Sequence, residues 1–175
     1  MNLKKTTKFK MSTPTPNNMR VIAVDPGYER LGIAVLEKTP KSKEVLLYSD
    51  CFVTSAKLPH SERLSLIGQE ISRIIKEYKP ERLGIETLFF NKNQKTAFYV
   101  AEARGVILYE AARHGLEINE FNPLQIKIAV TGYGRSEKEQ VTFMVNKIVK
   151  IDKKIKHDDE YDAIACGITL LASHR

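Results

Sequence analysis

Four acidic residues have the spacing and surroundings expected of a metal site. Asp25 and Glu86 each close a short apolar run, and Asp159 and Asp162 lie three residues apart where a helix begins. That spacing puts the last two carboxylates on one helix face. Clustered carboxylates repel one another unless cations lie between them, and hard oxygen ligands are what Mg²⁺ uses in proteins. The sequence therefore predicts a magnesium site, provided that the fold brings three distant segments together.

The first half of the chain predicts three strands and one helix. The strands cover residues 21–25, 32–36 and 45–53, and the first is apolar almost throughout, as in a central strand buried on both faces. Apolar residues then recur at three- and four-residue intervals over residues 64–78. This period predicts an amphipathic helix, which Pro80 would stop.

The second half predicts two further strands and three helices. The strands cover residues 82–86 and 117–121, and a long helix over residues 94–114 ends at Gly115. Ser136 and Glu139 have the spacing of a capping box, which predicts the start of the next helix. A final helix begins near Asp158.

The order β-β-β-α-β-α-β-α-α predicts an α/β fold with one five-stranded mixed sheet. Three antiparallel strands would be followed by two parallel strands, with right-handed crossovers that place helices on both faces. This is the layout of the ribonuclease H-like fold. It sets the strands of Asp25 and Glu86 side by side and parallel, so their carboxyl ends meet where such sheets bind ligands.

Length and composition indicate one folded domain over residues 19–175. The chain has 175 residues, of which 42% are hydrophobic and 28% charged, and its net charge is +7. No apolar run approaches the roughly 20 residues that span a bilayer. Because the N-terminus is polar and has no apolar signal-peptide core, we expect a cytoplasmic protein.

Residues 1–18 differ in composition from the rest of the chain. They contain four lysines, no acidic residue and no apolar period, so we expect a disordered basic tail. Met19 is a plausible alternative start, because a clean strand begins directly after it.

The two cysteines are expected to be reduced core thiols. Cys51 and Cys166 lie far apart, with no CxxC motif and no nearby histidine pair. Neither is expected to be a zinc ligand or a nucleophile.

The segment from Pro123 to Lys156 is rich in basic residues. It holds eight basic and three acidic residues and flanks the acids of the final helix. Phosphate contacts from such a surface would set affinity without reading bases, although a solvated helix face is the alternative for each lysine. Lys138 is the best candidate, since the first turn of a helix also attracts phosphate.

Small residues follow one another at four-residue steps along the long helix. Ala97, Ala101 and Gly105 form this row, which lets another helix approach closely. The neighbour could be a helix of the same chain or of a second copy.

Six motifs together resemble the RuvC family, the bacterial Holliday junction resolvases. They are VDPG (24–27), IETLFFNKN (85–93), EARG (102–105), P-x-x-x-K (123–127), GYGRSEKEQV (132–141) and DEYDAIA (159–165). The resemblance covers residues 20–174 in order. DPG alone occurs in many nucleotide-binding folds, whereas the combination is specific.

The resemblance implies an activity and a site. A homodimer would resolve four-way DNA junctions by paired symmetric nicks that leave 5′-phosphate and 3′-hydroxyl ends. Two Mg²⁺ ions, which Mn²⁺ could replace, would be held by Asp25, Glu86, Asp159 and Asp162, and a RuvA–RuvB branch-migration complex would be a partner. The residues expected to contact DNA are Phe89, which would stack on a base, together with Lys92, Arg104, Lys127 and Lys138. Lys138 would also stabilise the charge that develops on the phosphate.

The sequence departs from the family pattern at several positions. Tyr161 stands where alanine is common, and Leu31 where threonine is common. Asp158 is an additional acid, so either Asp158 or His157 could occupy the third metal position instead of Asp159. Asp159 fits the D-x-x-D-A spacing without a gap and is preferred.

Two other functions remain open from the sequence. One is a YqgF-type ribonuclease H-like nuclease that acts on RNA, against which the phenylalanine pair and the basic segment argue. The other is a catalytically silent junction-binding module, against which the complete acid set argues. An actin-like ATPase needs two such domains, and this chain is too short for them.

Overall fold

The computed structural model describes residues 18–39, 43–88 and 94–174, which form a five-stranded mixed sheet with helices on both faces. The strands are β1 (Met19–Asp25), β2 (Arg30–Lys38), β3 (Val45–Val53), β4 (Arg82–Glu86) and β5 (Glu117–Phe121). The sheet order is β3-β2-β1-β4-β5. Strand β2 is antiparallel to β1 and β3, whereas β4 is parallel to β1 and β5. The predicted mixed sheet is therefore confirmed.

The helices are α1 (His60–Tyr78), α2 (Gln94–Arg113), α3 (Pro123–Thr131), α4 (Lys138–Ile148) and α5 (Asp158–Ser173). Helix α1 begins four residues before the predicted apolar period, in a polar first turn. Its end at Tyr78 agrees with the prediction, and Lys79 caps it in the left-handed conformation. None of the described helices is long and apolar enough to cross a membrane.

The central strand β1 is apolar because both of its faces are covered. Val21 and Ala23 lie in the same buried cluster as the apolar residues of α5. Ile22 and Val24 lie in the opposite cluster with residues of α1 and α2. This two-sided burial explains the continuous apolar run of the strand.

The sequence analysis missed helix α3. Asn122 begins it with a capping box in which its side chain accepts a hydrogen bond from the backbone of Gln125, and Pro123 occupies the first turn. The predicted capping box of α4 was wrong by one residue, because Glu137 and Gln140 form it. Ser136 instead donates to the Tyr133 carbonyl and is buried.

Helix α5 lies unusually close to the sheet. A Cβ atom on Gly32 of β2 would stand 1.9 Å from the backbone oxygen of Asp159, so only glycine permits this approach. Farther along, a Cβ atom on Gly167 would stand 2.3 Å from Leu36. The contact with Gly32 therefore fixes the distance between the sheet and the start of α5, where Asp159 and Asp162 lie.

Candidate active site

One row of residues crosses the sheet beneath the first turn of α5. Asp25 pairs with Gly32 and Gly32 pairs with Cys51, so these three positions share a face. On the other side, Glu86 is paired with Phe121 and follows directly after the residue that pairs with Val24. This register sets the carboxyl ends of β1 and β4 next to each other, as the sequence analysis predicted.

The four predicted acids come together at this row. Burial and, in decreasing order, the charges of Glu86, Asp162 and Asp159 together raise the pKa of Asp25 to about 8, against the lowering effect of Lys138. Burial also raises the pKa of Asp162, against the lowering effect of Lys138. Acids from β1, β4 and α5 thus lie close enough to repel one another strongly.

Glu86 borders a small open pocket beside Asp25. The pocket has a volume of about 210 Å³, and its lining residues are Asp25, Pro26, Glu86, Thr87, Leu88 and Pro123. Burial and the charge of Asp162 raise the pKa of Glu86 to about 7, while Lys138 and Lys127 lower it. Both lysines that the family resemblance singled out therefore act on the acid cluster.

Lys138 bridges two acids of α5 from the first turn of α4. Its Nζ donates to Asp158 Oδ2 at 2.6 Å and to Asp162 Oδ2 at 3.1 Å. The hydrogen bond from Lys138 lowers the pKa of Asp158 to about 2, and the Asp158 side chain remains half exposed. A lysine half exposed beside the acids is available to a phosphate group.

The geometry distinguishes Asp158 from Asp159. The charge of Asp159 is among those that raise the pKa of Asp25. The side chain of Asp159 is mostly buried and contacts Arg30 Nε at 3.3 Å. Asp159 therefore lies toward the strand acids, while Asp158 lies toward Lys138. The sequence analysis did not single out Arg30, which begins β2 five residues after Asp25.

Arg104 makes contacts within the protein. Its guanidinium forms an ion pair with Glu120 of β5, and its Nε donates to the backbone oxygen of Glu86 at 3.4 Å. These contacts tie α2 to the end of the strand that carries Glu86. Its expected DNA contact stays a prediction, as do those of Phe89 and Lys92, which lie outside the described residues.

A second cluster, missed by the sequence analysis, supports the turn after Asp25. The Tyr28 ring stacks on Tyr99 of α2 with centroids 4.9 Å apart, and Arg63 of α1 lies 3.6 Å above the Tyr28 centroid. His60 contacts the Tyr28 hydroxyl at 2.9 Å and Glu102 at 2.6 Å. These contacts join α1 and α2 to the turn, and no local sequence pattern connects them.

The two cysteines have different environments. Cys166 is fully buried, as predicted, in the core between α5 and the sheet. Cys51 is not a core thiol, because it is partly exposed at the end of the sheet row and its Sγ lies 4.0 Å from Asp159 Oδ2. Burial and the charge of Asp159 raise the pKa of this thiol to about 11.

Comparison with known proteins points to a single family. The family model for crossover junction endodeoxyribonuclease RuvC matches residues 21–170. The curated RuvC of Fusobacterium nucleatum is 41% identical over 155 residues, which are 89% of this chain and 81% of the relative. The RuvC of Thermosipho melanesiensis is 42% identical over 157 residues, which are 90% of this chain and 99% of the relative.

Solved structures give the same result. A structure of Thermus thermophilus RuvC in complex with a Holliday junction substrate has a TM-score of 0.81 and 30% identity, and the match covers 86% of this chain and 92% of that one. The yeast mitochondrial Holliday junction resolvase Ydc2 has a TM-score of 0.66 at 10% identity, with 90% and 79% covered, and shares the fold. Together with the convergent acids, these matches show that the chain belongs to the RuvC family of crossover junction endodeoxyribonucleases.

Proposed function

We propose that this protein is a Mg²⁺-dependent endonuclease that resolves four-way DNA junctions by paired symmetric nicks. The proposal rests on one observation. The strand-end acids Asp25 and Glu86 lie close to Asp159 and Asp162 at the start of α5. The relative bound to a Holliday junction substrate, with 30% identity, supports the junction as the substrate.

The donor set fits hard divalent cations. Asp25 and Glu86 present carboxylate oxygens beside an open pocket, and burial with mutual repulsion raises both pKa values toward neutrality. A bound cation would allow all four carboxylates to be ionised, and Mg²⁺ prefers such oxygen ligands. Two Mg²⁺ ions held by these residues would activate a water molecule and stabilise the leaving 3′ oxygen. The products would carry 5′-phosphate and 3′-hydroxyl ends.

Lys138 and Lys127 are proposed to hold the scissile phosphate. Lys138 is already charge-paired with Asp158 and Asp162, so its ammonium lies at the border of the acid cluster. When DNA binds, Lys138 would donate to a phosphate oxygen and stabilise the charge that develops there. The charge of Lys127, on α3, lowers the pKa of Glu86 and therefore acts on the same cluster.

The outer face of α2 supports the proposed homodimer. Phe98 and Tyr109 are largely exposed on this helix, at 72% and 64% of their full areas. Between them, Ala101 and Gly105 continue the same face, and a Cβ atom on Gly105 would meet nothing within 4 Å. Exposed aromatic residues that flank small ones suit a close helix–helix contact with a second copy, and two-fold symmetry suits paired nicks. A complex with RuvA and RuvB is proposed from the resemblance alone.

The test uses Asp162→Asn with Asp152→Asn as a matched control. Both variants lose one carboxylate charge, but Asp152 is an exposed residue that pairs with Lys150. In Mg²⁺, Asp162→Asn should bind a synthetic four-way junction and fail to nick it, whereas the control should nick it. Nicking by Asp162→Asn at the wild-type rate would refute the site. Faster cutting of RNA than of the junction by the wild type would favour the RNA nuclease instead.

A further inference from the structure

A group of three different metal-binding side chains lies beside the acid cluster. Cys51 comes from β3, and His157 and Asp159 come from the start of α5. One ligand atom from each residue lies within 4.8 Å of the other two, and the Cys51 Sγ to Asp159 Oδ2 distance is 4.0 Å. The sequence analysis expected no zinc ligand at Cys51, because it found no CxxC motif and no nearby histidine pair, and His157 lies 106 residues away along the chain.

The distance between the Cys51 and Asp159 ligand atoms is close to that of a tetrahedral site. With Zn–S near 2.3 Å and Zn–N or Zn–O near 2.0–2.1 Å, neighbouring ligand atoms stand about 3.4–3.6 Å apart. The sulfur and oxygen atoms need to approach by only a few tenths of an ångström. His157, a partly exposed residue that precedes the helix in extended backbone, supplies the third ligand atom, which lies within 4.8 Å of the other two.

The ligand types select a different class of ion from the one proposed for the catalytic acids. Sulfur and imidazole nitrogen favour Zn²⁺ and Co²⁺, whereas Mg²⁺ requires oxygen. Three protein ligands leave a fourth position for water. Arg30 opposes a cation here because its Nε lies 3.3 Å from Asp159 Oδ2, but its side chain is about half exposed and can turn outward.

We propose that Cys51, His157 and Asp159 form a site for a thiophilic divalent cation of the Zn²⁺ class, next to the Mg²⁺ site and sharing Asp159 with it. On binding, the Cys51 S–H bond breaks, an S–metal bond forms, and the proton passes to solvent. Because one carboxylate cannot serve both sites fully, occupancy draws Asp159 away from Asp25 and slows junction cutting. This inhibitory consequence, unlike the binding itself, rests on the proposed function.

Binding is tested with Co²⁺ as a spectroscopic probe. The full chain, metal-free and reduced with a phosphine, is titrated with Co²⁺ while absorbance is recorded. We expect a thiolate-to-cobalt charge-transfer band that saturates at one Co²⁺ per chain and is displaced by Zn²⁺. Cys51→Ser and His157→Ala should lose the band, whereas Cys166→Ala, which removes the other thiol, should keep it. Absence of the band in the wild type, or its persistence in Cys51→Ser, would overturn the site.

Inhibition is tested separately by single-turnover cutting of a four-way junction in saturating Mg²⁺. Each variant is compared with its own rate without Zn²⁺. Micromolar Zn²⁺ should slow the wild type and Cys166→Ala at least tenfold, and Cys51→Ser by less than twofold. If Zn²⁺ inhibits Cys51→Ser as strongly as the wild type, the inhibitory ion binds at the catalytic acids. That result would overturn the proposal that occupancy of the Cys51 site slows cutting. A protein that cuts no junction would refute the proposed function, while the Co²⁺ titration would still decide the site.

Discussion

The repulsion within the acid cluster predicts that Asp25→Asn stabilises the metal-free protein. Asp25 is partly buried, and this burial together with three nearby acids raises its pKa to about 8. A carboxyl with a higher pKa in the folded state than in the unfolded chain takes up a proton on folding. The resulting loss of stability therefore begins near pH 4 and grows as the pH rises through about 8. Asparagine keeps the shape of the side chain and removes this dependence.

The magnitude follows from the difference between the two pKa values. Above an unfolded pKa near 3.9, the ionisable Asp25 side chain costs the folded state roughly 1.4 kcal/mol of stability per pH unit. At pH 7, about three pH units higher, this cost is about 4 kcal/mol. This is an upper limit for Asp25 alone, because Glu86 and Asp162 share the repulsion. In a chain of this size, about 1 kcal/mol shifts the melting temperature by roughly 2–4 °C. We therefore expect Asp25→Asn to melt about 5–10 °C higher in metal-free buffer at pH 7.

The assay is thermal unfolding of both proteins at pH 5, 7 and 9, with and without Mg²⁺. The difference in melting temperature should grow with pH in metal-free buffer. Mg²⁺ should stabilise the wild type, by about 2.7 kcal/mol at 100 times its dissociation constant, and stabilise Asp25→Asn much less. Asp152→Asn, which removes an exposed charge outside the site, should melt like the wild type at each pH and be stabilised by Mg²⁺ to the same extent. A lower melting temperature for metal-free Asp25→Asn would refute the reasoning from repulsion.

Four further outcomes follow from the site and its surroundings. Asp159→Asn should slow junction cutting more than Asp158→Asn, and the reverse order would assign the third metal position to Asp158. Phe98→Ser should shift the protein toward monomer in sedimentation without lowering its melting temperature, whereas an unchanged dimer would exclude the α2 face. Phe89→Ala should slow single-turnover cutting by up to about 100-fold while junction affinity changes less, since stacking on a base is worth about 1–3 kcal/mol. Deleting residues 1–18 should weaken junction binding slightly and reduce its salt dependence, and a large loss of single-turnover rate would place the tail in the active complex.

The sheet and the strand-end acids could be predicted because their signals are local. A strand buried on both faces shows a continuous apolar run, and Asp25 and Glu86 each interrupt such a run at its end. Helix α3 was harder to predict, because it spans only nine residues and exposes Leu124 and Ile128. Its one clear local signal is the Asn-Pro-x-Gln sequence that begins at Asn122, which combines a capping box with proline in the first turn.

The environment of the acids could not be predicted, because long-range pairing creates it. Cys51 meets Asp159 only because β3 pairs with β2 and Gly32 lets α5 approach the sheet. Arg104 reaches the Glu86 carbonyl across 18 residues of chain. Hydrophobic periodicity shows which face of an element is buried but carries no information about such cross-element partners.

The acids of α5 differ from the strand acids in how their charge is balanced. Asp158 and Asp162 pair with Lys138, Asp159 pairs with Arg30, and the buried Glu160 pairs with Lys153 at 2.6 Å. These pairs hold the first turn of α5 above the sheet despite the repulsion within it.

Lys138 acts on Asp25 and Glu86 through its charge alone, without a hydrogen bond to either carboxylate. A divalent cation would therefore stabilise the strand acids most, while a DNA phosphate would compete with Asp158 and Asp162 for Lys138. Metal binding thus acts mainly on the strand acids, and phosphate binding acts mainly on Lys138 and the acids of α5. Removing a strand acid should consequently raise metal-free stability, whereas removing Lys138 should lower it, because the carboxylates of α5 would lose their shared partner.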